Sequence, residues 1–154
     1  MPNKQADPNH ESAGAWAKKY HLATRQVMES VLRPHDLGPT QWYVLYQLAL
    51  VGATPQRELV RILEVERATL SGVVAALTRK GLVEQRPDPS DARQRVLHLT
   101  SQGRVLWGEL PDPIELILRT AFAEVSDADL ATTTRVLRTG TARLHELLTK
   151  GTPA

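Results

Sequence analysis

Residues 54–100 read TPQRELVRILEVERATLSGVVAALTRKGLVEQRPDPSDARQRVLHLT, and the order of patterns within them decides the fold. Thr54-Pro55 gives a cap-plus-proline start to a short helix from Pro55 to Leu63, with Leu59, Ile62 and Leu63 inward. Glu64, Val65 and Glu66 make a short turn. From Arg67 to Lys80, the residues Leu70, Val73, Val74 and Leu77 recur at i, i+3, i+4 and i+7, the spacing of a half-buried helix. Its other face carries Arg67, Ser71, Gly72, Ala75, Thr78 and Arg79, all small or polar. After Gly81, Leu82–Arg86 alternates as a strand, residues 87–94 form a Pro- and Asp-rich loop, and Arg95–Thr100 alternates back.

A helix with one face free of bulky apolar groups can enter a groove. Here it follows a short helix by three residues and stands beside an arginine-bearing hairpin. That is the layout of a winged helix-turn-helix DNA reader, in a chain that is mainly α with a small β-hairpin.

Upstream, Ser12 caps a helix reaching about Arg33, where Pro34 stops it; Trp16, Tyr20, Ala23, Val27 and Val31 form its apolar stripe. Gly38-Pro39 opens a second helix with Trp42, Leu45, Leu48 and Ala49 inward, and Gly52 ends it. Downstream, Thr100 or Ser101 caps a helix through Trp107. Pro111 and Pro113 kink or break it, and helix resumes from Ile114 to about Ala123. Ser126 and Asp129 resemble a capping box for a last helix with Leu130, Leu137 and Leu144 at seven-residue spacing. The outermost helices have too little core of their own to cover. A second copy of the chain is the simplest partner for their stripes.

The 154 residues suit one domain, and no apolar run is long enough to span a membrane. Met1 to Glu11 is polar and reads as a flexible tail without the apolar segment of a secretion signal. No cysteine is present, which excludes disulfides, thiolate metal sites and cysteine redox sensing. Cytoplasmic residence is the expectation. The net charge of +2 is uninformative, but its distribution is not. Residues 55–104 hold nine Arg/Lys against six Asp/Glu, whereas residues 105–149 hold four against seven. The hairpin-bearing segment is the basic one, as a phosphate-facing surface requires.

The run Arg67 to Val83, the loop Arg86-Pro87-Asp88-Pro89-Ser90-Asp91-Ala92-Arg93 and the closing Leu99-Thr100-Ser101-Gln102-Gly103 together resemble the multiple-antibiotic-resistance regulator (MarR) family. The specific combination is the helix, Lys-Gly-Leu-Val, an Asp-x-Arg wing and Leu-Thr-x-x-Gly. The resemblance implies one domain over 12–148, with a winged helix-turn-helix lobe at 39–103 and dimerisation helices at 12–34 and 104–148. It also implies a homodimer reading a pseudo-palindromic operator, with 67–80 as recognition helix and 87–94 as wing tip. Arg93 would probe the minor groove or a phosphate, and Asp91 would orient a wing arginine. Two positions depart from the pattern: the prolines at 111 and 113, and Glu66 where a serine-like cap is frequent.

Arg67, Thr69 and Ser71 lie in the first turns of the recognition helix, where side chains reach bases or phosphates. Gly72 costs helix stability, which either a close approach to DNA or helix packing would explain. Arg93 and Arg95 suit a groove or phosphate, and Arg86 a phosphate clamp. Asp91 gains nothing from facing phosphates unless it holds an arginine. Trp16, Tyr20, Trp42, Tyr43 and Tyr46 are candidates for a pocket that takes an aromatic acid or phenol, the effector class the resemblance implies. His10, His21, His35, His98 and His145 show no metal-ligand spacing, and no phosphate loop or nucleophile elbow is present. No cofactor, metal or enzymatic activity is expected. The expectation is a ligand-responsive homodimeric repressor on double-stranded DNA. The alternative is a winged helix that docks proteins and never touches DNA.

Overall fold

The computed structural model describes residues 11–152. The tail expected over 1–11 therefore lies, apart from Glu11, outside the described residues. The described chain divides between Ile117 and Leu118 into two compact units.

The first unit begins with α1 (Ala13–Leu32), capped by Ser12, whose Oγ accepts the Ala15 amide at 3.1 Å. Only Met28 and Leu32 of this helix are buried, while Trp16, Tyr20 and Val27 of the expected stripe are exposed. A 3-10 turn (Arg33–His35) leads to α2 (Pro39–Leu50), whose Trp42, Val44, Leu45 and Leu48 supply the centre of the core. Then come β1 (Thr54–Pro55), α3 (Gln56–Leu63), α4 (Arg67–Arg79), β2 (Val83–Pro87), β3 (Arg95–Leu99) and α5 (Ser101–Glu109). Leu59, Leu70, Val74, Leu77, Leu97 and Leu99 close the core beneath α2. Sixteen hydrophobic side chains are buried there, at roughly 1.5–3 kcal/mol for each one fully buried.

The expected hairpin has a third strand. β1 pairs antiparallel with β3, so the sheet order is β1-β3-β2. Thr54 faces Leu97 and is itself buried; its Oγ1 donates to the Gly52 carbonyl at 2.9 Å and not to a helix terminus. The cap-plus-proline reading of Thr54-Pro55 is corrected accordingly, and α3 begins at Gln56. Proline is tolerated in such a strand because the edge needs no donor on its outer side. Ile62 is a second correction: it is exposed, and Leu59 carries the burial of α3.

The junction of α4 and β2 follows from its sequence. Gly81 takes a positive φ of 72° directly after the helix. The Leu82 amide reaches back to the Leu77 carbonyl and the Gly81 amide to that of Thr78, both at 3.0 Å, which is a Schellman ending with Leu77 and Leu82 buried beside it. Lys80 secures the same end to the turn after α1, donating from Nζ to the Asp36 carbonyl and, at 3.2 Å, to Gln41 Oε1.

The prolines break the helix and do not merely kink it. α5 ends at Glu109, and α6 (Pro113–Ala121) starts afresh. Asp112 Oδ1 accepts the Ile114 and Glu115 amides at 2.9 and 3.0 Å, and Pro113 occupies the first helical position, where a missing donor costs nothing. The region read as dimerisation helices from residue 104 thus begins inside the first unit, where Trp107 of α5 packs 5.5 Å from Trp42.

In the second unit, α7 (Asp127–Lys150) is capped by Ser126, whose Oγ accepts the Asp129 amide at 3.1 Å. None of its side chains is buried, and Val136, Leu137, Leu144 and Leu148 are exposed. No helix among the described residues is long and apolar enough to cross a membrane.

Candidate nucleic-acid interface

α4 starts at Arg67 without a side-chain cap, because Glu66 at the preceding position makes no capping hydrogen bond. Its first turns are therefore open at the surface. Arg67, Thr69, Ser71 and Gly72 are all exposed, while Leu70 and Val74 anchor the opposite face. A Cβ built on Gly72 meets nothing within 4 Å, so helix packing does not account for this glycine.

The wing is a fixed loop. The Asp88 amide donates to the Gln94 carbonyl at 3.0 Å and closes it, and the Gln94 amide donates to the Asp91 carbonyl at 2.9 Å. Asp88 Oδ1 accepts from the Ser90 amide and hydroxyl at 2.8 and 2.6 Å. The Ser90 hydroxyl, then the Ser90 amide, hold the Asp88 carboxyl below its ordinary value, with the charge of Arg57 adding a smaller pull. Asp91 was expected to orient an arginine side chain. Instead its Oδ1 accepts the Arg93 backbone amide at 3.0 Å and its Oδ2 the Gln94 side-chain amide at 3.2 Å. A loop this short is held more economically through its own backbone donors, and the Arg93 guanidinium stays available.

Between wing, α3 and α4 lies an open cleft of about 320 Å³. Arg67 and Ser71 enter it from α4, Arg93, Gln94 and Arg95 from the wing side, and Gln56, Arg57 and Val60 from α3. Arg25, Arg61 and Arg86 pair with Glu29, Glu58 and Glu84. Of the four arginines of the cleft, Arg57 acts at a distance on the Asp88 carboxyl, and among the described residues none is in a direct ion pair like these. Four arginines around one open cleft form a site for anionic oxygens.

Arg86 is not brought there. Gln85 shares a face of the hairpin with Leu97 and Arg95, so Arg86, opposite Val96, projects from the other face and is tied to Glu84. Three cleft residues of α3, Gln56, Arg57 and Val60, escaped the sequence reading, which considered only the inner face of α3. The available signal was the basic pair Arg57 and Arg61, four apart and off the Leu59 face.

A second feature of the first unit is a cavity of about 480 Å³. Its walls are His21 and Arg25 from α1, Tyr43, Tyr46 and their neighbours from α2, and Ile62–Val65 at the α3–α4 turn. Of the five aromatic candidates, Tyr43 and Tyr46 line it. Trp42 is buried behind them with ring centroids 5.1 Å from Tyr46, whereas Trp16 donates from Nε1 to Glu11 and Tyr20 is exposed on α1. Burial, and then the neighbouring Tyr46, push the Tyr43 hydroxyl up from 10.0, so it remains a neutral donor at neutral pH.

Residues 35–94, which hold α2 through the wing, match the model of the MarR family. A solved structure of a probable transcriptional regulator from Pseudomonas aeruginosa is 30% identical, with a TM-score of 0.68 over 87% of this chain and 97% of that one. Residues 35–94 are a MarR-family domain. Among curated relatives, the transcriptional repressor NicR of Pseudomonas putida is 29% identical over 69% of this chain and 66% of its own length. The match spans between 56% and 66% of the first three curated relatives. The Bordetella bronchiseptica protein BpsR, whose DNA binding is regulated by 6-hydroxynicotinic acid, has the same fold. Its TM-score is 0.75 at 24% identity, over 85% of this chain and 94% of that one.

Proposed function

We propose that this chain is a sequence-specific transcriptional regulator, a ligand-responsive homodimeric repressor that binds a pseudo-palindromic operator in double-stranded DNA. The observation that carries the proposal is the cleft of Arg57, Arg67, Arg93 and Arg95 beside the exposed first turns of α4. Such a helix fits a major groove, and the flanking guanidinium groups fit phosphates and a narrow minor groove. Four arginines beside an exposed helix face suit a phosphate backbone better than an ordinary protein surface, which disfavours the alternative.

Dimerisation follows from the exposed apolar residues of α1 and of α7, which a lone chain would leave in water. Two copies would then present α4 helices about 34–36 Å apart, one DNA turn. The repressor's place of action is the cytoplasm, where DNA lies in a bacterial cell. The cavity is the proposed effector site. Tyr43, Tyr46 and Ile62 offer apolar walls, and Arg25 and His21 offer donors, a set that suits an aromatic acid such as the one regulating BpsR. A bound effector acts only to the extent that it prefers one conformation of the dimer.

The test is binding to genomic fragments in a gel shift, followed by a salt series on the fragment retained. Affinity should fall steeply with salt as phosphate contacts release counterions; a flat dependence, or no retained fragment, overturns the proposal.

A further inference from the structure

Gln56 lies in the arginine cleft without touching any of the charges that attract DNA, and its side chain connects three elements. Gln85 Nε2 of β2 donates to Gln56 Oε1 at 2.9 Å, and Gln56 Nε2 of α3 donates to Ser71 Oγ of α4 at 3.5 Å. Every donor in this relay points the same way. Ser71 Oγ is thereby used as an acceptor from inside, and its one proton is left for whatever stands outside the helix.

We infer that Gln56 is a positioning residue that fixes the polarity of Ser71, so that Ser71 reads base edges as a hydrogen-bond donor. The inference rests on the DNA-binding proposal above. In the major groove a donor is matched by N7 and O6 of guanine, N7 of adenine or O4 of thymine, and is mismatched by the N4 amino group of cytosine. A lone serine on a helix turns freely and accepts or donates with equal ease. Serine held by Gln56 keeps a second lone pair, but its proton is not drawn inward, so the balance shifts towards donation outward. The relay also ties β2 and the start of α3 to the exposed face of α4, so the wing strand and the reading helix share one register.

The experiment selects bound sequences from a randomised duplex library with the full-length protein and with four variants. Ser71→Ala defines the base positions that depend on this residue. At those positions the unsubstituted protein should prefer acceptor-edged bases by about fivefold, the worth of one neutral hydrogen bond. Gln56→Met, which keeps length and loses both hydrogen bonds, should flatten the preference to near unity. Gln85→Met, at the far end of the relay, should weaken it in the same direction. Gln56→Glu can only accept, so it draws the Ser71 proton inward and should turn the preference towards cytosine. Affinity of Gln85→Met for a fixed non-selected duplex at low salt should stay within twofold, because Gln85 does not line the cleft and no arginine has changed.

A preference left intact by Gln56→Met, or unchanged in sign by Gln56→Glu, overturns the inference while leaving DNA binding standing. If the unsubstituted protein enriches no sequence, both fall together. Should Gln56→Met fail to fold, Gln85→Met and Gln56→Glu still decide.

Discussion

A Cβ on Gly103 would stand 2.2 Å from the carbonyl oxygen of Leu82 and 2.7 Å from Leu99 Cδ1. The first of these neighbours is backbone and cannot turn aside. The same Leu82 carbonyl accepts the Thr100 amide at 3.1 Å, while the Thr100 hydroxyl donates to the Gly81 carbonyl at 2.6 Å and accepts the Gly103 amide at 3.0 Å. Lys-Gly-Leu-Val and Leu-Thr-x-x-Gly are thus two halves of one joint, which seats α5 against the end of α4. Gly103→Ala should cost about 3 kcal/mol, the upper end for overpacking, since the strain falls on backbone. Thermal unfolding at matched protein concentration should show a drop of roughly 10 °C. An unchanged midpoint would mean that the joint opens at little cost.

Gly72 should behave in the opposite way. Open space surrounds its Cα, so Gly72→Ala should stabilise α4 by up to about 1 kcal/mol. If the glycine serves a close approach of the helix to DNA, the same variant should bind duplex more weakly despite its firmer fold. Parallel melting and binding curves separate the two. A variant that is more stable and binds equally well removes Gly72 from the interface.

The wing makes a pH prediction. The folded-state value for Asp88 is depressed, chiefly by the Ser90 hydroxyl, so its contribution to loop order is complete above the ordinary value of 3.8 and is lost as pH falls through the folded value. Hydrogen exchange at the Ser90 amide should therefore stay slow relative to an unstructured loop from neutral pH to about pH 5, after correction for intrinsic rates. Its protection should fade only below pH 3.8. Asp88→Asn should abolish that acid transition. Protection already lost at pH 5 would show that Asp88 does not hold the loop.

The wing tip can be separated from the fold. Arg93 is fixed through its backbone to Asp91, and its side chain faces the cleft. Arg93→Ala should keep the melting temperature and the dimer, weaken duplex binding, and lower the slope of log affinity against log salt by about 1. A dimer lost with Arg93 would place the wing in a different role.

Much of this was legible because it rests on local rules. Helix caps at Ser12, Thr100 and Ser126, the glycine ending at Gly81 and the apolar period of α4 each act within a few residues. The third strand was hidden because two residues carry no periodicity, and Thr54-Pro55 satisfies the rule for a helix start equally well. Only pairing with Leu97 and Val96, some forty residues on, distinguishes the two. The cleft was half visible for the same reason. Arg67 and Arg93 stand in elements with recognisable roles, but Gln56 and Arg57 join them through the packing of α3. Arg86, read as a phosphate clamp, is placed by strand register on the face away from the cleft.

The effector cavity gives the last prediction. Arg25 is its cationic group, His21 also lines it, and burial, then Tyr46, push the Tyr43 hydroxyl up so that it stays a donor. An aromatic carboxylate seated there would exchange charge-assisted hydrogen bonds with Arg25, so Arg25→Ala should weaken such a ligand by about 2 kcal/mol, or some thirtyfold. Tyr43→Phe, which keeps the ring and loses the donor, should weaken it by about fivefold. 6-Hydroxynicotinic acid, the regulator of BpsR, is a suitable first probe, measured by calorimetry and by release of bound duplex. Because Ile62–Val65 line the cavity and lead directly into Arg67, a ligand there bears on the start of α4. Duplex release should accordingly require saturation of the site and shift to about thirtyfold higher ligand with Arg25→Ala, while DNA affinity without ligand changes little. Binding that survives both substitutions would place the effector elsewhere on the protein.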